Sequence, residues 1–305
     1  MSAKTKVKWL ILAASLTAIA ITFLSLNKDA TAMSQKPVFP PKIEIALGQS
    51  GENLEKQYGS LVKANRKNVG LNFLTIDANR HGTSVTAVVK TGSLITSIPS
   101  AMSIMATEDR DRKVGFTDLL ISAEVNRDDF VPHTIAHQYV LSLIQSLRKT
   151  GWRYYISETK PRLKGKAALE YLKQDNIDPD YPLSFEQWMA FQAPLTWELY
   201  ADHTYLTLRV DRDVNHLDPA KPGAYFISLT FTPREETERL EVDEKDRDHW
   251  RDTWVNRYLA FRAERNIEEA KLRAQGVPID TDYKDPPLPP PPPGQHNPII
   301  PDALK

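Results

Sequence analysis

The feature that most constrains the fold is a regular alternation of polar and apolar residues in the second half of the chain. In 195–200 and in 205–210 every second residue is apolar, and Ala201, Asp202 and His203 separate the two runs. The same rhythm returns in 225–231 after a longer loop. Side chains two positions apart lie on the same face of a strand. The alternation therefore predicts an antiparallel meander with one buried face.

Four more segments have the composition of strands. Two of them, 71–77 and 84–90, flank Asn79-Arg80-His81-Gly82, in which Asn and Gly suit a turn. These two segments predict a β-hairpin. The other two, 93–98 and 117–125, flank a stretch of mixed charge at 108–113, which is typical of a solvated loop.

The clearest helix is predicted over 132–149, with Pro132 in the first turn and Gly151 just beyond the end. Its apolar residues recur at steps of three and four and form one face. A further helix is predicted at 166–173, and another begins at Ser184, which has capping-box spacing to Gln187. Together with the strands, these helices predict an α+β fold in which antiparallel sheets pack against amphipathic helices.

The N-terminus has the pattern of an export signal. Lys4, Lys6 and Lys8 precede an uncharged apolar run of 18 residues, Trp9–Leu26. Ala30-Thr31-Ala32 has the small residues that a signal peptidase requires, so residues 1–32 are either a retained membrane anchor or a cleaved signal peptide. We expect a single-pass protein of the bacterial inner membrane with its body in the periplasm, or a periplasmic protein if the chain is cleaved after Ala32.

A spacer is expected at 33–42 and a globular α+β region at 43–233, with candidate subdomain divisions near 126–131 or 157–165. The region opens with a strand at 43–47, Gly48, a helix at 51–58 that Ser50 starts, and Gly59 as its C-cap. This order resembles the opening of small bacterial envelope domains of the SmpA/OmlA type. The resemblance assigns no functional residue.

The composition changes after residue 233. Of the 42 residues in 234–275, 22 are charged, which predicts a charged amphipathic helix over 234–276. The stripe formed by Trp250, Trp254, Tyr258 and Phe261 either docks the helix onto its own domain or contacts a partner. The remainder, 277–305, has seven prolines in 286–293 and is predicted to be a disordered polyproline II tail, a spacer or a docking peptide.

Two groups of residues have partial metal-site spacing. His133 and His137 are four residues apart on one helix, but Thr134 occupies the position where a zinc protease needs its general base. Asp211, Asp213 and Asn215 copy the first ligands of a calcium loop, and the copy then ends in 216–222. We therefore predict no cofactor and keep these five residues as metal candidates.

Charge and cysteine content limit the classes of function. Lys plus Arg equals Asp plus Glu at 39 each, so no basic field indicates a nucleic-acid partner. The chain has no cysteine, which excludes disulfides and an N-terminal lipid anchor on cysteine. We predict a non-enzymatic protein that binds a protein partner in the envelope, such as an immunity protein against an envelope-delivered toxin or an accessory factor of secretion. The alternative is a metal-assisted envelope hydrolase.

Overall fold

The computed structural model describes residues 38–67, 70–191 and 194–304. The predicted signal segment at 1–32 and the first half of the spacer, 33–37, lie outside these residues. Within them, no helix is both long enough and apolar enough to cross a membrane.

The described chain is an α+β fold built on one large mixed sheet. Its strands are β1 (Lys42–Ala46), β2 (Val62–Asn65), β3 (Leu71–Asp77), β4 (Val85–Thr91), β5 (Leu94–Asp109), β6 (Phe116–Ala123), β7 (Arg153–Tyr154), β8 (Leu195–Ala201), β9 (Thr204–Arg212) and β10 (Tyr225–Pro233). Its α-helices are α1 (Gly51–Tyr58), α2 (His133–Thr150), α3 (Gly165–Leu172), α4 (Phe185–Ala190), α5 (Arg234–Leu240) and α6 (Trp250–Ala274). Short 3₁₀ turns lie at Gly59–Leu61, Asn79–His81, Glu244–His249 and Asp302–Leu304.

The sheet order is β1-β4-β5-β6-β10-β9-β8-β7, and β3 joins β5 and carries β2. The pairs are antiparallel except for β1 and β4, which are parallel, so the sheet is mixed rather than purely antiparallel. The meander β8-β9-β10 confirms the strands predicted from the alternation, because the alternating apolar residues in 195–199, 206–210 and 227–231 are buried on one face.

The predicted hairpin of 71–77 and 84–90 is wrong. Both segments are strands, but each pairs with β5: β3 with Ser103–Asp109 and β4 with Leu94–Ala101. β5 has 16 residues and continues well beyond the predicted end at 98. Ser100 has a φ of 54°, and the register shifts nearby, so the strand bends there. It pairs with β4 before the bend and with β3 after it.

Helix α2 covers the apolar face of the sheet and matches the predicted span closely. Gly151 ends it with a φ of 118°, a left-handed conformation that suits glycine. The residues that α2 buries are His133, Ala136, Val140, Leu143, Ile144 and Leu147. At α4, Ser184 and Gln187 form the predicted capping box. The main hydrophobic core lies between this helical layer and the sheet.

Strand β1 lies at the end of the sheet order, and side chains of the following helical segment occupy its outer edge. The Tyr58 hydroxyl accepts a hydrogen bond from Glu44 N at 2.6 Å and donates one to Glu44 O at 3.1 Å. Gln49 Oε1 accepts from Ala46 N at 3.1 Å. Backbone groups that an edge strand would leave free are therefore bonded to side chains of the same chain.

The charged segment after residue 233 forms α5, a 3₁₀ turn and then α6. The Pro-rich segment that follows α6 has a defined path without regular secondary structure up to a last 3₁₀ turn. The Tyr283 hydroxyl accepts from Ile156 N at 2.8 Å, and Asp280 N donates to Arg162 O at 2.7 Å. These contacts connect the described part of the tail to the segment that follows β7.

Candidate protein-binding surface

Two loops meet at one end of the sheet. The loop at 124–132 joins β6 to α2, and the loop at 213–224 joins β9 to β10. Val131 N donates to Gly223 O at 2.8 Å, and Gly223 N donates to Val131 O at 2.9 Å. This isolated bridge fixes the two loops to each other.

His133, the first residue of α2, holds the loop at 213–224 in place through hydrogen bonds. It is 3 % exposed, and its Nε2 lies 3.2 Å from the carbonyl oxygen of Asp218. Because a carbonyl can only accept, Nε2 carries the hydrogen, and Nδ1 accepts from the Tyr225 hydroxyl. Burial lowers the pKa of His133, which favours this neutral ring. The start of α2 is thereby joined to the loop at 213–224 and to β10.

Gly223 is required at this position because of the ring of His133. A Cβ at residue 223 would lie 2.4 Å from His133 Cε1. We expect Gly223→Ala to lower the free energy of unfolding by about 1–3 kcal/mol, the usual cost of overpacking. Urea denaturation measures the change. In a His133→Ala background the same substitution should cost clearly less, and an equal cost in both backgrounds would contradict this contact.

His137 has a separate environment. Its Nε2 lies 2.8 Å from the carbonyl oxygen of Leu183, so this nitrogen also carries a hydrogen. Its ring packs against Trp188, with the ring centroids 5.4 Å apart. The two histidines of the metal hypothesis therefore direct their Nε2 atoms to different carbonyls, and this geometry does not fit a shared metal ion.

The other three metal candidates are also engaged within the chain. Asp211 accepts from Nε and Nη2 of Arg209, both at 2.8 Å. Asp213 accepts from Asn215 N at 2.9 Å and from His216 Nδ1 at 2.7 Å, and these bonds hold the pKa of Asp213 below its usual value. Within the described residues, no group of three or more His, Asp or Glu is arranged to hold a metal ion. The three residues stabilise a strand and a turn.

Arg212, the last residue of β9, has no carboxylate partner in the described part of the chain. The Arg212 guanidinium carbon is 5.7 Å from the ring centroid of Trp188, whose ring stacks on Tyr225 at 6.0 Å. Nε and Nη2 of Arg212 are buried and have no hydrogen-bond partner among the described residues. Burial lowers the pKa of Arg212, since the charged form loses hydration. This end of the sheet therefore combines aromatic side chains with a positive charge.

Large apolar side chains are exposed on the two bridged loops and at the start of the helix and the strand that follow them. The exposed fractions are 48 % for Phe130, 46 % for Ile135, 69 % for Val214 and 46 % for Phe226. The Phe130 ring also lies 4.7 Å from that of His216, which links the two loops at the surface. We call these four residues the apolar loop surface. Phe130 and Val214 lie in the two bridged loops, and Ile135 and Phe226 lie at the start of α2 and β10, which follow these loops. Exposed apolar side chains in one region of a protein are typical of a site that contacts another molecule.

The sequence contained part of the signal for this surface. The alternation that buries Ile227, Leu229 and Phe231 places Phe226 on the opposite face of β10. The exposure of Phe130 and Val214 has no such periodic signal, because both lie in irregular loops. The bridge between Val131 and Gly223 joins segments that are distant in sequence, so no local pattern predicts it.

The predicted aromatic stripe of α6 is covered by the chain itself. Trp250, Trp254 and Tyr258 are 1 %, 4 % and 8 % exposed, and Phe261 packs beside them. They form a cluster with Leu288, Ile300 and Leu304 of the tail and with Val242 after α5. In the described structure the stripe is therefore an intramolecular contact, as in the first of the two interpretations of the pattern.

Glu238 lies beside this cluster and is 2 % exposed. It accepts from Arg234 Nη2 at 3.2 Å, from Arg257 Nη2 at 3.1 Å and from Trp254 Nε1 at 3.3 Å. The Tyr258 hydroxyl also bonds to it. Nearby Glu158 is half-buried, and the loss of hydration around its carboxylate raises its pKa. These charged groups are satisfied mainly by one another, which is typical of structural rather than catalytic groups.

Comparisons of this chain with protein-family models, with curated proteins and with solved structures found no match.

Proposed function

We propose that the folded body is a non-enzymatic protein-binding domain of the bacterial envelope and that the apolar loop surface makes the contact. In this proposal the apolar segment at 9–26 anchors the body in the inner membrane, or cleavage past Ala32 releases it to the periplasm. An immunity protein against an envelope-delivered toxin and an accessory factor of secretion are the two roles that fit such a domain.

The observation that carries this proposal is the exposure of Phe130 and Val214 on two loops that are bridged to each other, and of Ile135 and Phe226 at the start of the helix and strand that follow these loops. Exposed apolar groups gain free energy when a partner removes them from water. Because the bridge and His133 already hold the loops, little conformational entropy is lost on binding.

The chemistry around the surface indicates the kind of partner. Trp, Tyr and Arg are the residues that most often dominate binding energy at interfaces. Here Arg212 and Tyr225 are half-buried at the ends of β9 and β10, and both lie against the ring of the buried Trp188. We expect the partner to present an apolar patch with a carboxylate close to Arg212.

Site-specific photo-crosslinking in living cells tests the contact. We expect a photoreactive residue at Phe130 or at Phe226 to give one discrete protein adduct. The matched controls are Leu259 and Ile267 on α6, which are also exposed apolar residues. The same adduct from all four positions, or none from Phe130 and Phe226, would contradict the proposal.

A second measurement tests the cellular location separately. A reporter enzyme that is active only outside the cytoplasm, fused to the C-terminus, should be active. A reporter active only inside the cell would contradict the envelope location and leave the crosslinking result to be judged by itself.

A further inference from the structure

Residues 286–290 form the first limb of the Pro-rich tail. This limb contacts the rest of the protein as a polyproline II ligand contacts its receptor. Pro286 and Pro289 are buried, whereas Pro287 and Pro290 are exposed. This spacing of three matches the three residues per turn of a polyproline II helix, so one edge of the segment faces the protein.

The surface beneath this limb is an aromatic groove. The rings of Trp254 and Tyr258 stack with centroids 4.1 Å apart, and Trp250 lies in the same cluster. Leu288 and Ile300 of the tail pack against these rings. Grooves lined by aromatic side chains are the usual receptors for Pro-rich segments. We call this surface the aromatic groove.

Polar groups fix the register of the tail. Arg234 Nη1 donates to the carbonyl oxygen of Pro286. Asp285, which precedes it, pairs with Arg262 at 2.8 Å and with Arg265 at 2.9 Å. Proline carbonyls lack an intrachain partner in this conformation, and a donor from the groove satisfies one of them.

The tail then turns back. Gln295 N donates to Pro292 O at 3.0 Å, and Gly294 has a φ of +84°, as a turn with Pro and Gly at its centre requires. Residues 290–296 are all exposed. The second limb returns to the groove, where Asn297 Nδ2 donates to Pro289 O at 2.9 Å. Residues 286–304 thus form a compact hairpin that rests on the groove.

The hairpin does not fill the space under it. A cavity of about 190 Å³ remains between the tail and the helices, lined by Glu158, Arg234, Tyr258, Asp285 and Leu288, among others. Incomplete packing means that fewer dispersion contacts hold the tail in place.

We infer that the aromatic groove is a binding site for a polyproline II peptide and that its ligand in trans is the tail of a second copy of this chain. The groove already binds that sequence, through residues 286–304, so the same contacts are available to an identical tail from a neighbour. Exchange of an identical element is a common route to a dimer. The inference does not depend on the apolar loop surface.

The competition between the two tails sets the conditions of the test. A segment joined to its site by a short flexible linker has an effective concentration in the millimolar range. A free peptide of residues 286–304 should therefore bind poorly to the unaltered chain and well to a full-length variant whose own tail is released. Leu288→Ser with Ile300→Ser removes two apolar anchors of the tail and changes no residue of the groove.

We expect a fluorescently labelled peptide of residues 286–304 to bind the released variant at least about tenfold more tightly than a control variant. The control carries Pro290→Ser with Ile299→Ser, two substitutions at exposed positions of the same tail. Fluorescence anisotropy measures both. Equal binding to the two variants, or none to either, overturns the groove as a peptide site.

A second readout uses the unaltered tail in case the released variant does not fold. The chain has no cysteine, so Ala303→Cys supplies a single labelling site on the tail. A fluorophore there should be quenched by the tryptophans of the groove, and millimolar peptide should relieve the quenching. No change at saturating peptide, with the label shown to be docked, overturns the inference.

The source of the ligand is tested by expressing two differently tagged copies of the full chain together. We expect the copies to purify together, and Leu288→Ser with Ile300→Ser in both copies to abolish this. Copies that never associate, while the peptide binds the released variant, overturn the second copy as ligand.

Discussion

Glu238→Ala is expected to lower the free energy of unfolding by about 3–5 kcal/mol, because it removes the carboxylate from a buried charge network. Arg234, which is 1 % exposed, would lose its ion pair with Glu238. Arg257, Trp254 and Tyr258 would lose a hydrogen-bond partner as well. Glu238 and Arg234 are almost completely shielded from bulk solvent, so the donors left without the carboxylate lose most of this bonding energy. Urea denaturation followed by circular dichroism measures the loss.

Two control variants separate the charge from the side chain. Glu238→Gln keeps an acceptor for Trp254 but not the charge, so it should fall between the wild type and alanine. Glu244→Ala removes an exposed carboxylate nearby and should change the stability by less than about 0.5 kcal/mol. A loss below about 1 kcal/mol for Glu238→Ala would show that the network is weaker than its burial implies.

Trp152→Ala should be comparably destabilising, by about 3–5 kcal/mol. Trp152 follows α2 directly and has no solvent exposure. Its Nε1 donates to Thr96 Oγ1 of β5 at 2.9 Å, and its ring meets Phe231 of β10 edge to face at 5.6 Å. The side chain thus joins the helical layer to two strands of the sheet, and its removal leaves a cavity at that junction.

Trp152→Phe is the matched variant, since it keeps an aromatic ring and removes the indole N–H. It should cost less than alanine, because the residual cavity is smaller. Thermal unfolding of the two variants side by side gives the comparison. If phenylalanine costs as much as alanine, the hydrogen bond to Thr96, rather than packing, dominates at this position.

Local sequence patterns predicted much of the secondary structure. The alternation in 195–231 located β8, β9 and β10, since one face of each strand is buried and the side-chain period is two. The ends of α2 followed from Pro132 and Gly151, and the start of α4 followed from Ser184 and Gln187. These signals depend on residues that are close in sequence, so they could be recognised without knowledge of the tertiary contacts.

Strand pairing was not predictable in the same way. The residues between β3 and β4 suggested a tight turn, but the partner of both strands is β5. The strand predicted at 93–98 also ended too early, because β5 continues through Pro99 and Ser100, with Ser100 at positive φ. Which strands pair depends on contacts between distant residues, and a turn signal does not contain that information.

The candidate surface was predictable only in fragments. The sequence singled out His133 for its spacing to His137, although its structural role is to hold Asp218 and Tyr225. That role requires three segments of the chain to meet, so no spacing within one helix could reveal it. The spacing of the aromatic residues predicted the stripe. The proline content identified the tail, but nothing in the sequence predicted that the tail covers the stripe.

The side chains that occupy the outer edge of β1 also affect the tendency of the protein to aggregate. A neighbouring strand could pair with Glu44 only after displacing the hydroxyl of Tyr58, which bonds to both of its backbone groups. Fibrils grow by repeated strand addition at such edges. At this end of the sheet, the chain thus has a barrier against polymerisation that requires neither a proline nor a bulge.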